Sequence, residues 1–179
     1  MTPSAIQYWH EIDSPVGKLL LAGDGSRLTH ICFQSGPHPM RPQEHWAASR
    51  EPFETAIAQL SEYFEGRRHK FDLPLAPAGT DFRRRVWRAL AAIPYGQTIS
   101  YGELARRIGS ARAARAVGLA NGANPLPIIV PCHRVIGANG SLTGFGGGLP
   151  IKRALLALER ALPEQEARSS SRQRKLRAI

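Results

Sequence analysis

The hydrophobic rhythm of the chain changes once, near residue 78, and that change limits the possible folds more than any other feature. Before it, short runs of β-branched and aromatic residues alternate with turns built on glycine and proline. After it, apolar residues recur every three or four positions. AIQYWHEI, KLLLAG and LTHICFQ predict three strands of a meander, separated by SPVG and GDGS. SGPHPMRPQEHW is proline-rich and aperiodic, and reads as a loop. In EPFETAIAQLSEYFEG, Phe53, Ile57, Leu60 and Phe64 share one helical face, and Gly66 ends the helix. KFDLPL predicts a short strand and APAG a linker. Residues 1–78 are therefore expected to form an N-terminal α+β domain.

The second half reads as helices. TDFRRRVWRALAAI places Phe82, Val86, Ala89, Leu90 and Ile93 on one face. SYGELARRIG opens on a capping box, with Ser100 at the N-cap and Glu103 three residues on, and Gly109 stops it. Ser110 can cap the next helix, ARAARAVGLANG, so the two predict a helix-turn-helix. The second helix is rich in alanine, with Arg112 and Arg115 three residues apart on one face. Small side chains such as Ala113 and Ala114 let a backbone approach a partner while an arginine reaches further. Then follow IIVPCHRVIG, a glycine-rich loop, and IKRALLALERAL, which Pro150 suits to a helical start. This unit spans residues 79–162. Residues 163–179 are polar and basic, and disorder is expected there.

Charge narrows the partners. The net charge is +10 and the pI near 10.6. The last 17 residues hold five basic and two acidic side chains, which leaves +7 on the rest. Such a balance favours polyanions, nucleic acid above all. No run approaches the roughly 20 apolar residues that span a bilayer, and the first residues lack the pattern of a secretory signal. A cytoplasmic protein with no membrane partner is expected.

Two cysteines are too few for a disulfide framework or a zinc cluster, and His10, His30, His38, His45 and His69 are scattered without ligand spacing. Neither metal nor cofactor is expected. Cys32, inside the third strand, reads as a small core residue. Cys132 stands between Pro131 and His133. A thiol attacks electrophiles as its thiolate, so it needs a base or a positive charge nearby. Neighbours on a strand point to opposite faces, whereas in an irregular turn after Pro131 the histidine can reach the sulfur. The dipeptide alone leaves structural and catalytic readings open; haem-attachment and cysteine-protease signatures are absent.

From about Phe82 to Glu159 the chain closely resembles the O6-alkylguanine-DNA alkyltransferases. The resemblance rests on VWRALAAIPYGQTISYGELA, ARAVG, NPLPIIVPCHRVIG and GGLPIKRALLALE. It implies an α+β protein: a ribonuclease H-like N-terminal sheet domain with a helix, then a mostly helical domain with a helix-turn-helix. It implies direct-reversal DNA repair, in which O6-alkylguanine, with O4-alkylthymine, is flipped from duplex DNA and its alkyl group passes irreversibly to Cys132. It further implies that His133 deprotonates the thiol through a water, that Glu159 orients His133, and that Asn124 ties the turn to the helix-turn-helix. Tyr101 disturbs the DNA backbone and protonates the departing guanine, and Arg115 fills the space the nucleotide leaves. Arg112, Ala113 and Ala114 lie along the DNA. The carbonyls of Cys132 and Val135, with Phe145 and Gly146, line the base pocket. Because nothing would break an S-alkylcysteine bond, one transfer per molecule is expected, by a monomer, with cooperative assembly on DNA left open.

Departures matter as well. Phe145 and Gly146 stand where some relatives carry tyrosine and serine, so the serine hydrogen bond to the lesion is expected to be missing. Main-chain amides of residues 141–147 are the available substitutes. The zinc ligands and the phosphotriester-repair domain of some relatives have no counterpart here, which argues against transcriptional control. Two competing classes are a non-catalytic lesion binder on the same scaffold and a helix-turn-helix regulator. Cys132 argues against the first, and the PCHRV segment with Glu159 against the second.

Overall fold

The computed structural model describes residues 6–164 and 166; the basic segment expected to be disordered lies almost wholly outside them. β1 (Tyr8–Ile12), β2 (Leu19–Gly23) and β3 (Leu28–Phe33) form the expected antiparallel meander. Every residue of β2 is buried, as suits an uninterrupted apolar run in a central strand. A fourth strand, β4 (Ala47–Ala48), pairs parallel with β1 and sets the order β3-β2-β1-β4. Two residues carry no period, so the pattern could not reveal it.

α1 (Glu54–Phe64) turns a different stripe inward from the one its apolar spacing predicts. Ala56, Gln59, Leu60 and Tyr63 are buried, while Ile57 and Phe64 are only half-buried. The rotation satisfies polar groups. Gln59 bonds the backbone of Asp72 in both directions, at 2.7 and 2.9 Å, and Tyr63 finds a buried partner described below. The same clasp explains why KFDLPL is no strand: Gln59 takes hydrogen bonds of its backbone, and only Leu75 bridges to Leu28.

In the second half, α2 (Asp81–Ala91) starts at Thr80, whose hydroxyl accepts from the Arg83 amide. Trp87, absent from the predicted apolar face, is buried and donates to the Ala120 carbonyl at 2.9 Å. β5 (Ile99–Ser100) pairs parallel with β6 (Val135–Ile136) and brings the start of α3 (Tyr101–Arg107) beside the PCHRV segment. Ser100 caps α3 by accepting from Glu103 N at 3.1 Å. The Glu103 carboxylate does not close the box, because Arg106 and Arg107 hold it.

Gly109, at φ 70°, ends α3. The next helix, α4 (Ala114–Gly122), begins later than expected. Ser110 accepts the Ala113 amide through its backbone carbonyl and gives no side-chain cap, so Arg112 lies in the connecting turn rather than on the helix. α5 (Leu149–Leu158) has Pro150 in its first turn. One apolar core runs through both halves, from Leu19 and Phe33 through Tyr63 to Val86, Leu104 and Leu155.

Candidate active site and DNA-binding elements

Cys132, His133 and Arg134 form a single 3-10 turn between Pro131 and β6. All three are buried. The run leading to them is held from α4: Asn124, just past the helix end, donates to the Val130 carbonyl at 2.7 Å and accepts from Leu126 N at 3.0 Å. Ile128 sits at φ 74°, a left-handed conformation that a β-branched residue adopts only under the constraint of its surroundings.

The turn aims His133 away from bulk solvent and onto α5's end. His133 Nε2 lies 2.8 Å from Glu159 Oε1. Arg134 clasps the same carboxylate, Nε to Oε2 at 2.8 Å and Nη2 to Oε1 at 2.9 Å, and its Nη1 donates to the Ile93 carbonyl. Tyr63, on α1, donates its hydroxyl to Oε1 at 2.7 Å. Burial alone would raise the Glu159 carboxyl, but the hydrogen bonds from His133 and Arg134 outweigh it and hold the group well below the usual carboxylate range. Glu159 is therefore a fixed anion. Its bond to Nε2 leaves Nδ1 of His133, which has no partner among the described residues, to accept a proton. Burial pulls the imidazole below its ordinary value, against the pull of Glu159.

Cys132 itself is pushed up to about 11 by burial, against the Asn124 hydrogen bond and the Lys152 charge. Lys152 is fully buried on α5. Its ammonium donates to the carbonyls of Val135 at 2.6 Å and Thr143 at 2.7 Å, and burial pulls it down to about 8. The resting thiol is thus protonated, with a neutral imidazole and a partly masked cation near it.

Cys132 opens onto a cavity of about 180 Å³ that both halves line. Phe145, Gly146 and Gly147 form one wall, the end of α4 another, and Ile31, Cys32 and Phe33 of β3 a third. Cys32 is only half-buried and faces this cavity rather than the interior core, which corrects the reading of it as a core residue. The Gly147 position is packed tight: a Cβ there would meet the Phe33 ring at 2.6 Å. Phe145 packs on Phe33, ring centroids 5.6 Å apart. Val135 is not on the wall; it is fully buried, and its carbonyl is taken by Lys152.

Tyr101, first residue of α3, is half-exposed and close to Cys132; its hydroxyl makes long contacts of 3.4 Å to the Thr143 and Gly144 carbonyls. Arg115 projects into solvent from the first turn of α4, with Arg112 exposed before it and Ala113 and Ala114 between them half-buried. The structure thus sets Asn124 and Lys152 against the Cys132 thiol, joins the next residue, His133, to Glu159, and leaves Arg115 exposed on α4. Residues that the sequence reading did not single out are Tyr63, Asn121, Arg134 and Lys152. Arg134 and Lys152 were legible only as ordinary surface charges, and Asn121, whose amide reaches the Cys132 carbonyl at 3.5 Å, as one more polar residue near a helix end. Among the described residues no group of three metal-binding side chains comes together, and no helix is long and apolar enough to cross a membrane.

Fold and site together define a buried thiol, followed by a histidine paired with a glutamate, on a helix-turn-helix module. Comparison with known proteins agrees. Residues 81–161 match the family described as 6-O-methylguanine DNA methyltransferase, DNA binding domain. Residues 7–77 match its ribonuclease-like domain. A methylated-DNA–protein-cysteine methyltransferase of Mycobacterium tuberculosis is 55% identical over 155 residues, covering 86% of this chain and 93% of the relative. One from Methanosarcina acetivorans is 51% identical over 152 residues, covering 85% and 97%. The crystal structure of Mycobacterium tuberculosis OGT in complex with DNA superposes with a TM-score of 0.80 at 53% identity, covering 88% of this chain and 96% of that one. The chain belongs to the methylated-DNA–protein-cysteine methyltransferase family.

Proposed function

We propose that this protein repairs DNA by direct reversal, moving an alkyl group from O6-alkylguanine, and from O4-alkylthymine, onto Cys132. The observation that carries the reading is a buried thiol on the wall of a base-sized cavity, with the His133–Glu159 pair built behind it. An O6-alkyl group lies inside the duplex, so the nucleotide must leave the stack to meet that sulfur, at a cost of a few kcal/mol. α4 suits minor-groove approach, with Ala113 and Ala114 allowing close contact, Arg112 on phosphates, and Arg115 in the gap the base vacates.

In the cavity, Phe145 and the backbone of Gly146 flank the base. The S–C bond forms as the C–O bond breaks. The thiol proton passes through a water to His133 Nδ1, and the Tyr101 hydroxyl, which burial keeps protonated, supplies the proton that neutralises the departing guanine. The Asn124 amide and the Lys152 charge stabilise the developing thiolate. Glu159, already fully hydrogen-bonded, stays ionised throughout. Residues 1–78 and 79–162 act as the scaffold and acceptor domains of a cytoplasmic monomer.

The test is incubation with a duplex oligonucleotide carrying O6-methylguanine, followed by mass spectrometry of the Cys132 peptide. One methyl per protein on Cys132 is expected. An unmodified Cys132, or repair beyond one equivalent, would sink the proposal.

A further inference from the structure

A side chain of the N-terminal half hydrogen-bonds the carboxylate that holds His133. Tyr63 leaves α1 fully buried and places its hydroxyl 2.7 Å from Glu159 Oε1, across 96 positions of sequence. Its ring is fixed by Phe64, Phe71 and Tyr95, at centroid separations of 5.4, 5.5 and 6.1 Å. An isolated phenol in such a core leaves its O–H without a partner, a costly arrangement that a phenylalanine would avoid. Here the hydroxyl is spent on a carboxylate that Arg134 already neutralises and His133 already needs.

Three donors converge on Oε1: Tyr63 Oη at 2.7 Å, His133 Nε2 at 2.8 Å and Arg134 Nη2 at 2.9 Å. Oε2 takes Arg134 Nε at 2.8 Å and the Gly96 amide at 3.4 Å. Donors on a shared oxygen compete, since each withdraws charge that the others would otherwise use. The charge that His133 feels is what remains. The other ionisable groups facing this cluster are Arg134 from the turn, Lys152 from α5, Cys132, and Tyr95 from the loop after α2, on which His69 stacks. Among these groups Glu159 supplies the charge that favours an imidazolium, while Arg134 and Lys152 oppose it.

We infer that Tyr63 is a positioning residue of the acceptor site: its hydroxyl fixes Glu159 and draws charge from it, keeping His133 a weaker base than the His–Glu pair alone would make it. The N-terminal half therefore sets the pH range of alkyl transfer as well as supporting the core. A base that is neutral at rest serves this reaction, because an imidazolium cannot accept the thiol proton. This inference rests on the transfer reaction proposed above.

The experiment is the pH dependence of single-turnover methyl transfer from an O6-methylguanine duplex, in the full chain and in Tyr63→Phe. In Tyr63→Phe the acid limb, where transfer fails as His133 protonates, is expected to move up by about half a pH unit or more. DNA affinity should stay the same. 3-Fluorotyrosine at position 63, a stronger donor of nearly unchanged shape, is expected to move the limb down, and it supplies the test if Tyr63→Phe does not fold. A limb that stays in place for both replacements, or a uniform slowing at every pH, overturns the inference while leaving the acceptor role of Cys132 intact. Absence of methyl on Cys132 in the unaltered chain overturns both.

Discussion

Arg134 and Glu159, adjacent to the acceptor in space but 25 positions apart in sequence, form a two-point buried ion pair with N–O distances of 2.8 and 2.9 Å. The pair joins the active-site turn to the end of α5, and Tyr63 ties α1 to the same carboxylate. The residue after the acceptor histidine is thus as deeply built into the site as the histidine.

Arg134→Ala is expected to destabilise the fold by about 3–5 kcal/mol, because it strands a buried carboxylate that keeps only its weaker partners. Denaturant unfolding measures this. A loss under about 1 kcal/mol would mean that water reaches Glu159 and the pair is not the clamp its geometry suggests.

Stability should fall on acidification in two stages. His133 is held below its ordinary value, so its contribution is full above about pH 6.5, the unfolded value, and is lost as pH falls toward the folded one. Glu159 is also depressed; its contribution is present above about pH 4.3 and is lost only as pH falls well below that. Thermal unfolding between pH 8 and 3 should show both stages. His133→Gln should shrink the upper one, to which half-buried His30 also contributes, and leave the lower, since Arg134 still holds Glu159.

Thiol chemistry without DNA offers a third check. With Cys132 pushed up to about 11, its thiolate fraction at pH 7.5 is below about one in a thousand, against about one in ten for a free cysteine. Iodoacetamide should therefore modify native Cys132 at least ~100-fold more slowly than the denatured chain. Lys152→Met, which removes a nearby positive charge, should slow it further and move its pH dependence upward. Faster modification in that variant would show that Lys152 shields the thiol rather than favouring its ionised form.

Arg115→Ala separates DNA engagement from chemistry. Arg115 is exposed on α4, so its loss should weaken duplex binding by on the order of 1–3 kcal/mol while leaving the iodoacetamide rate of Cys132 unchanged. Equal affinity in the variant would remove Arg115 from the interface. A changed thiol rate would place it inside the acceptor site instead.

Much of this was legible in residue order. The meander is written in short apolar runs between glycine and proline turns, Ser100 and Gly109 mark the bounds of α3, and the PCHRV segment carries the candidate acceptor. Where the reading went astray, polar satisfaction outweighed apolar periodicity. α1 turned Tyr63 and Gln59 inward because each had a partner waiting, and no hydrophobic count registers such a partner. Ser110 looks like a cap, but its side chain does not cap α4, and the turn instead closes through its backbone carbonyl.

By itself the sequence determined most of the elements, the candidate acceptor and the family, because strand and helix periods, turn residues and a contiguous motif are local properties. Tertiary structure alone decided how the thiol is controlled. Tyr63, Arg134 and Lys152 are surface-like side chains in composition, and they became parts of the site because burial removes water and leaves Glu159 and two backbone carbonyls as their partners. A charge's meaning depends on what surrounds it, and only the folded chain specifies that.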